Sequence, residues 1–380
     1  MKILLISEYF PRGKSLIFSG GVESRTFYLA KNLAKNHDVH VLTSKLVGTK
    51  SKEKIFGFTI HRLGKKRSYY PNAHVASIFS LVSFTSDAIK FGSNLKPDIV
   101  DGGNFICHLI AKRISQKNKI PSIFWYPDVF IGQWFKTSGL ISGFSGWILE
   151  KYNLLIRADC FISISNQTTN KLIKNGVNPK IIKTIPCGVD FREFKSKAIR
   201  EKPPVIICIN RLVPYKNTED IIWAYALLKK NNVKSTLKIV GTGQEETKLK
   251  NIVKMLKLKK NVHFSKNHPR KNLLKLLISS SILCSASEIE GFGINVIEAA
   301  ASGVPYVLSN LKIYKEITKN GLGGMLFKTN DIKDLASKLT NLMQDTSVYN
   351  KKKKEALELA KHYDWQKISQ DTEKVYQSLL

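Results

Sequence analysis

Residues 282–298 read Ile282-Leu-Cys-Ser-Ala-Ser-Glu-Ile-Glu290-Gly-Phe-Gly-Ile-Asn-Val-Ile-Glu298. A short apolar run is followed by a polar loop and then by a segment whose apolar residues recur at helical spacing. The pattern predicts a strand at 282–284, a polar loop at 285–290 and a helix that begins at Gly291 and runs to about Ala301. A strand that leads into a helix in this way is typical of a parallel, helix-covered sheet.

The same alternation of short apolar runs and longer amphipathic segments extends over most of the chain. In the first half it predicts strands at 2–7, 39–43, 98–101, 122–126, 160–164 and 182–185, with helices at 23–36, 105–116, 146–157 and 167–175. In the second half it predicts strands at 205–210, 236–241, 262–265, 282–284 and 304–308, with helices between them. We therefore expect an α/β fold of two Rossmann-like domains with parallel sheets.

The alternation breaks between Pro186 and Pro204, where a charged stretch ends in two consecutive prolines ahead of a new strand. This break predicts an interdomain linker at 186–204. The first domain then covers residues 1–190 and the second covers 204–362, and residues 363–380 form a closing amphipathic helix. Two such domains would face each other across a cleft at the carboxyl ends of their sheets, where ligands of parallel sheets bind.

The composition is that of a globular protein with room for two cores, since 43% of the 380 residues are hydrophobic and 24% are charged. The sequence shows no uncharged apolar stretch of membrane-spanning length, and the apolar run at 2–7 is too short for the core of a signal peptide. The five cysteines are scattered and form no Cys-x-x-Cys pair. We therefore predict no metal centre, no disulfide framework and a reducing, cytoplasmic location.

Charge is the unusual feature of the composition, because 61 Lys and Arg face 29 Asp and Glu, a formal net charge of +32. Such a surface attracts polyanions, which include nucleic acids, an anionic membrane face and phosphorylated substrates. Charge alone does not choose among them. A lysine-rich solvated surface without a specific partner also accounts for part of it.

Two loops carry residue types that bind anions. Gly20 and Gly21 follow the first strand and open a helix, where they either let the backbone approach a ligand closely or only form a tight turn. Arg211 and Lys216 follow the first strand of the second domain. They are placed to clamp a diphosphate, or they are simply cations of a basic protein.

The opening stretch carries the third site. Gly291 and Gly293 would expose backbone N–H groups at a helix N-terminus, which favours an anion or a sugar hydroxyl. Glu290 lies just before that helix and Glu298 lies about two turns along it, so both could border one pocket. Because carboxylates repel a diphosphate, the two glutamates are expected to accept hydrogen bonds from sugar and ribose hydroxyls.

At these residues the chain resembles the retaining glycosyltransferases of family four, which have the GT-B fold. The resemblance spans nearly the whole chain, and its motifs occur in the order found in the family. Those motifs are the Gly20-Gly21 loop, Ile185-Pro-Cys-Gly-Val-Asp190, the pair Arg211 and Lys216, Val240-Gly-Thr-Gly243, Glu290-Gly-Phe-Gly-x4-Glu298, and Asp364-Trp365 with the following helix.

The resemblance implies a role for each matching residue. Arg211 and Lys216 would hold the donor diphosphate, and the loop of Gly20 and Gly21 would approach the phosphate or the transferred sugar. Glu290 would contact the donor sugar and Glu298 the nucleotide ribose. Backbone groups of the intervening residues would line the sugar and the phosphate; these residues are Gly291, Phe292, Gly293, Ile294 and Asn295.

The resemblance also implies the chemistry. A sugar would pass from a UDP- or GDP-linked donor to a hydroxyl of a glycan or lipid-linked acceptor with its anomeric configuration retained. Fixed cations and helix N-termini would replace a metal, so no cofactor is expected. The product would belong to a cell-surface polysaccharide, a glycolipid or a protein glycan.

One position departs from the family pattern. Many relatives carry a histidine after the strand equivalent to 122–126, whereas this sequence reads Trp125-Tyr-Pro-Asp128 there. Asp128 either takes a polar, even catalytic, role in the same pocket or caps a turn after Pro127. A covalent route through Asp128 is less favoured than a front-side reaction in which the leaving phosphate oxygen takes the acceptor proton.

Two segments of the first domain mix apolar and basic residues in a way that suits a membrane interface. One is Arg62-Leu-Gly-Lys-Lys-Arg-Ser-Tyr-Tyr70, and the other, at 130–156, is rich in aromatic residues that could equally form an ordinary core. With the net charge, they predict peripheral attachment to the inner, anionic face of the membrane. The alternatives are a non-enzymatic nucleic-acid-binding protein, an inverting GT-B transferase and a GT-B sugar-nucleotide epimerase.

Overall fold

The protein is described from a computed structural model that covers residues 1–12, 16–18, 20–67, 78–194, 200–266 and 268–380. Its contacts divide the chain into two compact units. The first unit comprises Met1–Cys187 together with Trp365–Leu380, and the second comprises Gly188–Asp364. The passage from the first unit to the second therefore falls inside the stretch expected to be a linker.

The first unit is built on an eight-stranded sheet in the order β3-β4-β2-β1-β5-β6-β7-β8, parallel except for the edge pair β3 and β4. Its strands are β1 (Lys2–Ile6), β2 (Asp38–Leu46), β3 (Lys52–Ile55), β4 (Phe58–Arg67), β5 (Ile99–Gly102), β6 (Ser122–Tyr126), β7 (Cys160–Ser163) and β8 (Ile182–Thr184). Its helices are α1 (Gly21–Leu33), α2 (Ile78–Asn94), α3 (Phe105–Asn118), α4 (Trp134–Ser138), α5 (Leu140–Leu155), α6 (Asn166–Lys174) and α14 (Trp365–Gln377).

One face of this sheet is covered by α2, α3 and α5. Alternate residues of β1 point to that face, so Leu4 and Ile6 pack in one buried cluster with Ala88 of α2 and Ile110 of α3. Leu154 of α5 lies at the edge of the same cluster. This layer of helices stabilises the sheet through apolar burial, the dominant favourable term in folding.

The closing helix α14 is attached to the first unit by a buried polar network. Arg25 of α1 donates to both oxygens of Asp101 in β5, at 2.9 and 2.7 Å, and the phenol of Tyr376 in α14 donates to the same carboxylate at 2.5 Å. The ring of Trp365 stacks on Tyr28 at 5.7 Å between centroids. The two hydrogen bonds from Arg25 and the one from Tyr376 replace the hydration that the Asp101 carboxylate loses when it is buried.

The second unit contains a six-stranded, fully parallel sheet in the order β11-β10-β9-β12-β13-β14. Its strands are β9 (Val205–Ile209), β10 (Thr236–Val240), β11 (Val262–Ser265), β12 (Ile282–Ser285), β13 (Tyr306–Ser309) and β14 (Gly324–Phe327). Its helices are α7 (Thr218–Lys230), α8 (Glu246–Met255), α9 (Arg270–Ser279), α10 (Ile294–Ala301), α11 (Lys312–Ile317), α12 (Ile332–Gln344) and α13 (Thr346–Ala360). The predicted class of two parallel-sheet α/β domains is confirmed.

Three strands escaped the sequence-based prediction. β3 and β4 form an antiparallel hairpin with β3 at the edge of the sheet. Their residues read as a basic, polar stretch because β3 is partly exposed and because Arg62 and Arg67 of β4 are buried against carboxylates. β14 is a four-residue edge strand that begins at Gly324. A side chain at Gly324 would overlap the Tyr306 ring and carbonyl, which explains a glycine that had no strand signal.

The network at Asp101 gives a testable measure of what holds α14 in place. Tyr376→Phe removes one buried hydrogen bond to a charged group, and we expect the free energy of unfolding to fall by about 2 kcal/mol. Urea denaturation followed by tryptophan fluorescence suits the measurement, because Trp125, Trp134, Trp147 and Trp365 all lie in the first unit.

Tyr152→Phe is the matched control, since Tyr152 lies in the same unit and its side chain is exposed. We expect that control to change stability by less than about 0.5 kcal/mol. Equal stability of the two variants would show that the Tyr376 phenol does not support the network.

Candidate functional site

The loop after β9 carries the two predicted cations in different environments. Lys216 is buried, and its ammonium donates to Glu290 Oε2 at 2.6 Å and to the Ile289 carbonyl at 3.4 Å. Arg211 is exposed, and its guanidinium donates to the Tyr215 hydroxyl at 2.6 Å. The structure thus brings Lys216 and Glu290 together, whereas the side chain of Arg211, in the same loop as Lys216, lies at the surface.

The ion pair joins loops that follow two neighbouring strands. β9 and β12 pair in parallel, so the residues after both strands emerge at the same edge of the sheet. Tyr314 of α11 adds a hydroxyl that donates to Glu290 Oε2 at 3.4 Å and lies 2.8 Å from Ser285 Oγ. A cation, a carboxylate and hydroxyls at the end of parallel strands can bind a charged, hydroxyl-rich ligand.

Two glycines of the Val240-Gly-Thr-Gly243 turn set the path of the Arg211 loop. A Cβ at Gly241 would lie 1.8 Å from the Asn210 carbonyl oxygen, and one at Gly243 would lie 2.1 Å from that of Leu212. Gly241 also has φ of +148°, which disfavours other residues. The turn can therefore press against the loop only because both positions lack side chains.

The helix of the opening motif begins three residues later than expected. Gly293 is the N-cap of α10 with φ of +94°, so Gly291 and Phe292 lie before the helix instead of inside its first turn. The first N–H groups of α10, those of Ile294 and Asn295, have no acceptor within the helix and form an anion-favouring end.

The residues around Gly293 are also held by the core. A Cβ there would lie 2.9 Å from the Tyr314 ring, and the Asn295 amide donates to the Ile209 carbonyl at 2.9 Å, tying α10 to the end of β9. Phe292 is buried with its ring 6.0 Å from that of Tyr363. The Phe292 side chain thus packs in the interior, and only its backbone is available to line the sugar and the phosphate.

Glu298 engages a cation that sequence reasoning missed. Arg270, at the start of α9, bonds Glu298 Oε1 and also donates to Glu193 Oε2 at 3.0 Å. Burial raises the pKa of Glu298, and the Arg270 guanidinium opposes that rise. Glu290 and Glu298 therefore pair with different cations. The only sequence signal for Arg270 was its place at the start of the helix after β11. In a chain with this many basic residues, such a position does not by itself indicate a functional arginine.

In the first unit, Gly20 is the N-cap of α1 and Gly21 is the first residue of that helix. Gly20 is exposed with φ of −170°, and a Cβ there would meet no atom within 4 Å. Packing within the chain therefore does not require a glycine at this position. Ser19, which precedes the pair in the motif, lies outside the described residues, and the role of the loop stays a prediction.

Asp128 lies just beyond β6 and is buried. Its Oδ1 accepts the Val129 N–H at 2.8 Å and the Lys171 ammonium at 2.6 Å. The local contact is the turn-capping role, and the ion pair with α6 is an additional polar role that no motif indicated. The structure therefore gives Asp128 both kinds of contact, and its catalytic role stays a prediction.

Glu150 is a second buried carboxylate near Asp128 that sequence reasoning missed. It accepts the Phe130 N–H at 3.0 Å and the Trp134 indole N–H at 2.6 Å. Burial raises the pKa of Glu150 to about 7, against the lowering effect of these two hydrogen bonds, and Asp128 raises it further. Glu150 thereby holds the segment between Asp128 and α5.

The basic patch predicted at 62–70 is wrong as a continuous exposed surface. Arg62 and Arg67 are buried; Arg62 pairs with Glu53 at 2.9 Å, and Arg67 pairs with Glu8 at 3.1 Å. Lys65 and Lys66 are exposed, whereas residues 68–70 lie outside the described residues. The two arginines are buried because β4 turns them toward carboxylates of neighbouring segments.

Among the described residues, no three His, Cys, Asp or Glu side chains are grouped as a metal site would need. In the same part of the chain, helices of sufficient length and hydropathy to span a membrane are absent.

Comparison with solved structures supports the fold. Sucrose-phosphate synthase from Thermosynechococcus elongatus superposes with a TM-score of 0.84 at 19% identity, covering 100% of this chain and 98% of that one. Anabaena HepE in complex with UDP-glucose gives a TM-score of 0.78 at 17% identity, with both chains fully covered.

Comparison at the sequence level gives the family. Glycogen synthase from Mycobacterium tuberculosis is 24% identical over 99% of this chain and 94% of its own length. Residues 19–193 match the model of Glycosyltransferase Family 4, and residues 189–359 match that of Glycosyl transferases group 1. The two matches overlap at residues 189–193 and leave only the ends of the chain uncovered, so this chain belongs to the family-four glycosyltransferases and has their GT-B architecture.

Proposed function

We propose that the chain moves a sugar from a UDP- or GDP-linked donor to a hydroxyl of a glycan or lipid-linked acceptor, with retention and without a metal. The observation that carries the proposal is the Lys216–Glu290 ion pair beside Arg211 and the N-terminus of α10. A structural neighbour, Anabaena HepE, binds UDP-glucose in its crystal structure, which supports a nucleotide-sugar donor here.

The cations suit a leaving diphosphate. Arg211 is exposed and its guanidinium donates to the Tyr215 hydroxyl of its own loop, so its fork can turn from that neutral acceptor to phosphate oxygens. Lys216 is fixed by Glu290, which keeps the ammonium in place before the ligand arrives. Positive groups arranged in advance stabilise the charge that develops as the bond to the sugar breaks.

The two glutamates suit the neutral parts of the donor. Glu290, already held by Lys216 and Tyr314, would accept hydroxyl groups of the transferred sugar. Glu298 bonds Arg270 through Oε1, and its second oxygen would accept a ribose hydroxyl. Pairing with cations keeps both carboxylates from repelling the diphosphate.

The reaction we propose needs no protein base. The bond from the anomeric carbon to the diphosphate oxygen breaks, the acceptor oxygen bonds the same face of that carbon, and the acceptor proton passes to the departing diphosphate oxygen. Asp128, already committed to Lys171 and Val129, would orient groups without forming a covalent intermediate. The family assignment favours glycosyl transfer over the epimerase and nucleic-acid-binding alternatives.

Nucleoside diphosphates and their sugars should stabilise the protein selectively. At a hundredfold excess over its dissociation constant, UDP or GDP should raise the melting temperature by about 5 °C. Arg211→Met and Lys216→Met should each lower kcat/KM for donor turnover by about 100-fold.

Lys259→Met, which replaces an exposed lysine of the same unit, is the control and should behave as the wild type. Because Arg211 is also exposed, its variant separates loss of the site from loss of the fold. Failure of UDP, GDP and their sugars alike to stabilise the chain would contradict the proposed donor.

The stereochemistry and the metal requirement are tested with the donor so identified. We expect NMR of the first product to show the anomeric configuration of the donor, and chelation with EDTA to leave the rate unchanged within about twofold. Asp128→Asn should keep most of the turnover. An inverted product, or activity that returns only with a divalent cation, would overturn this part of the proposal.

A further inference from the structure

Helix α5 of the first unit packs Leu154 against the core, but it also buries polar residues and turns a stripe of large apolar residues outward, which is unusual for a surface helix. Its buried side bears Gly143, Glu150 and Asn153. Its outward side bears large apolar residues with high exposed fractions: Leu140 at 79%, Phe144 at 54%, Ile148 at 47%, Tyr152 at 45% and Leu155 at 78%. At 100° per residue these five occupy about one third of the helix circumference, whereas a surface helix normally turns such a stripe inward.

The orientation of α5 is fixed by contacts on its buried side. Glu150 holds the Phe130 N–H and the Trp134 indole, and the Asn153 amide donates to the Phe105 carbonyl at 2.8 Å. A side chain at Gly146 would lie 2.5 Å from the Trp134 ring, so that glycine allows close packing of α4 on α5. Rotating the helix to bury its apolar stripe would break all of these contacts.

The exposed charges of the chain segment that contains α5 are all positive. Between residues 99 and 158 the acidic residues are Asp101, Asp128 and Glu150, and all three are buried in hydrogen bonds. The same stretch contains seven basic residues: Lys112, Arg113, Lys117, Lys119, Lys136, Lys151 and Arg157. Arg113, Lys117, Lys119 and Arg157 are exposed. Between Asp98 and Asp159, which are both exposed, the chain thus presents cations and apolar side chains to solvent without an exposed carboxylate.

We propose that the outward stripe of α5 docks on the surface of an anionic lipid bilayer. The apolar side chains would enter the boundary between headgroups and acyl chains, and the exposed Arg157, which follows α5 in the chain, would contact lipid phosphates. At 16 residues α5 is shorter than a membrane span, so it would lie in the plane of the surface. A second copy of this chain is a poorer occupant, because two surfaces of a protein with net charge +32 repel each other.

The test is co-sedimentation with vesicles of phosphatidylcholine alone and of phosphatidylcholine and phosphatidylglycerol in equal parts. The variant is the triple substitution Leu140→Ser, Phe144→Ser and Ile148→Ser. We expect the wild type to bind the anionic vesicles at least about tenfold more tightly than the neutral ones, because each nearby cation adds to the attraction. The triple variant should bind the anionic vesicles about 100-fold more weakly, since three exposed apolar side chains are lost.

The matched control is Met255→Ser with Leu322→Ser and Leu357→Ser, which removes three exposed apolar side chains from the second unit. It should bind vesicles as the wild type does. Melting temperature and stabilisation by nucleoside diphosphates should be equal in both triple variants, which separates failure of this proposal from failure of the donor site. Unchanged binding by the α5 variant would overturn the proposal. So would a wild-type dimer that binds no vesicles and dissociates in the α5 variant.

Discussion

The ion pair between Lys216 and Glu290 is the interaction on which the candidate donor site depends. It joins the loop after β9 to the loop after β12, and both loops leave the sheet at its carboxyl edge. Each partner is largely removed from water, so the loss of either would leave a poorly solvated charge and destabilise the site by about 3 to 5 kcal/mol. The start of α10, the Arg211 loop and the Tyr314 hydroxyl are all positioned around this pair.

The same principle recurs elsewhere in the chain with a different outcome. In the first unit Arg25 neutralises Asp101, Lys171 neutralises Asp128, and the buried Glu150 is held by two N–H donors. These three carboxylates are buried, so they do not offset the positive charge of the exposed basic residues around them. Between residues 99 and 158 the acids therefore hold loops and helices from within, and the exposed charges are cations.

The sequence was sufficient for most of the parallel strands, because buried strands such as 122–126 are almost entirely apolar and leave a clear signal. It also located Lys216 and Glu290, since glycines and strand ends fix where the chain must turn. It did not reveal Arg270 or Glu150, whose importance comes from burial and from partners 28 and 20 residues away. Arg62 and Arg67 were misjudged for the same reason, because a residue type gives no sign that an arginine is buried against a carboxylate.

Hydrogen–deuterium exchange with and without the nucleoside diphosphate that stabilises the fold tests directly whether the Lys216–Glu290 pair lies at the donor site. We expect slower exchange of amides at 211–217 and at 291–296, where the cation loop and the start of α10 would contact the ligand. The other surface loops of the second unit should exchange at unchanged rates. Protection confined to other segments, with these two unchanged, would show that the Lys216–Glu290 pair does not lie at the donor site.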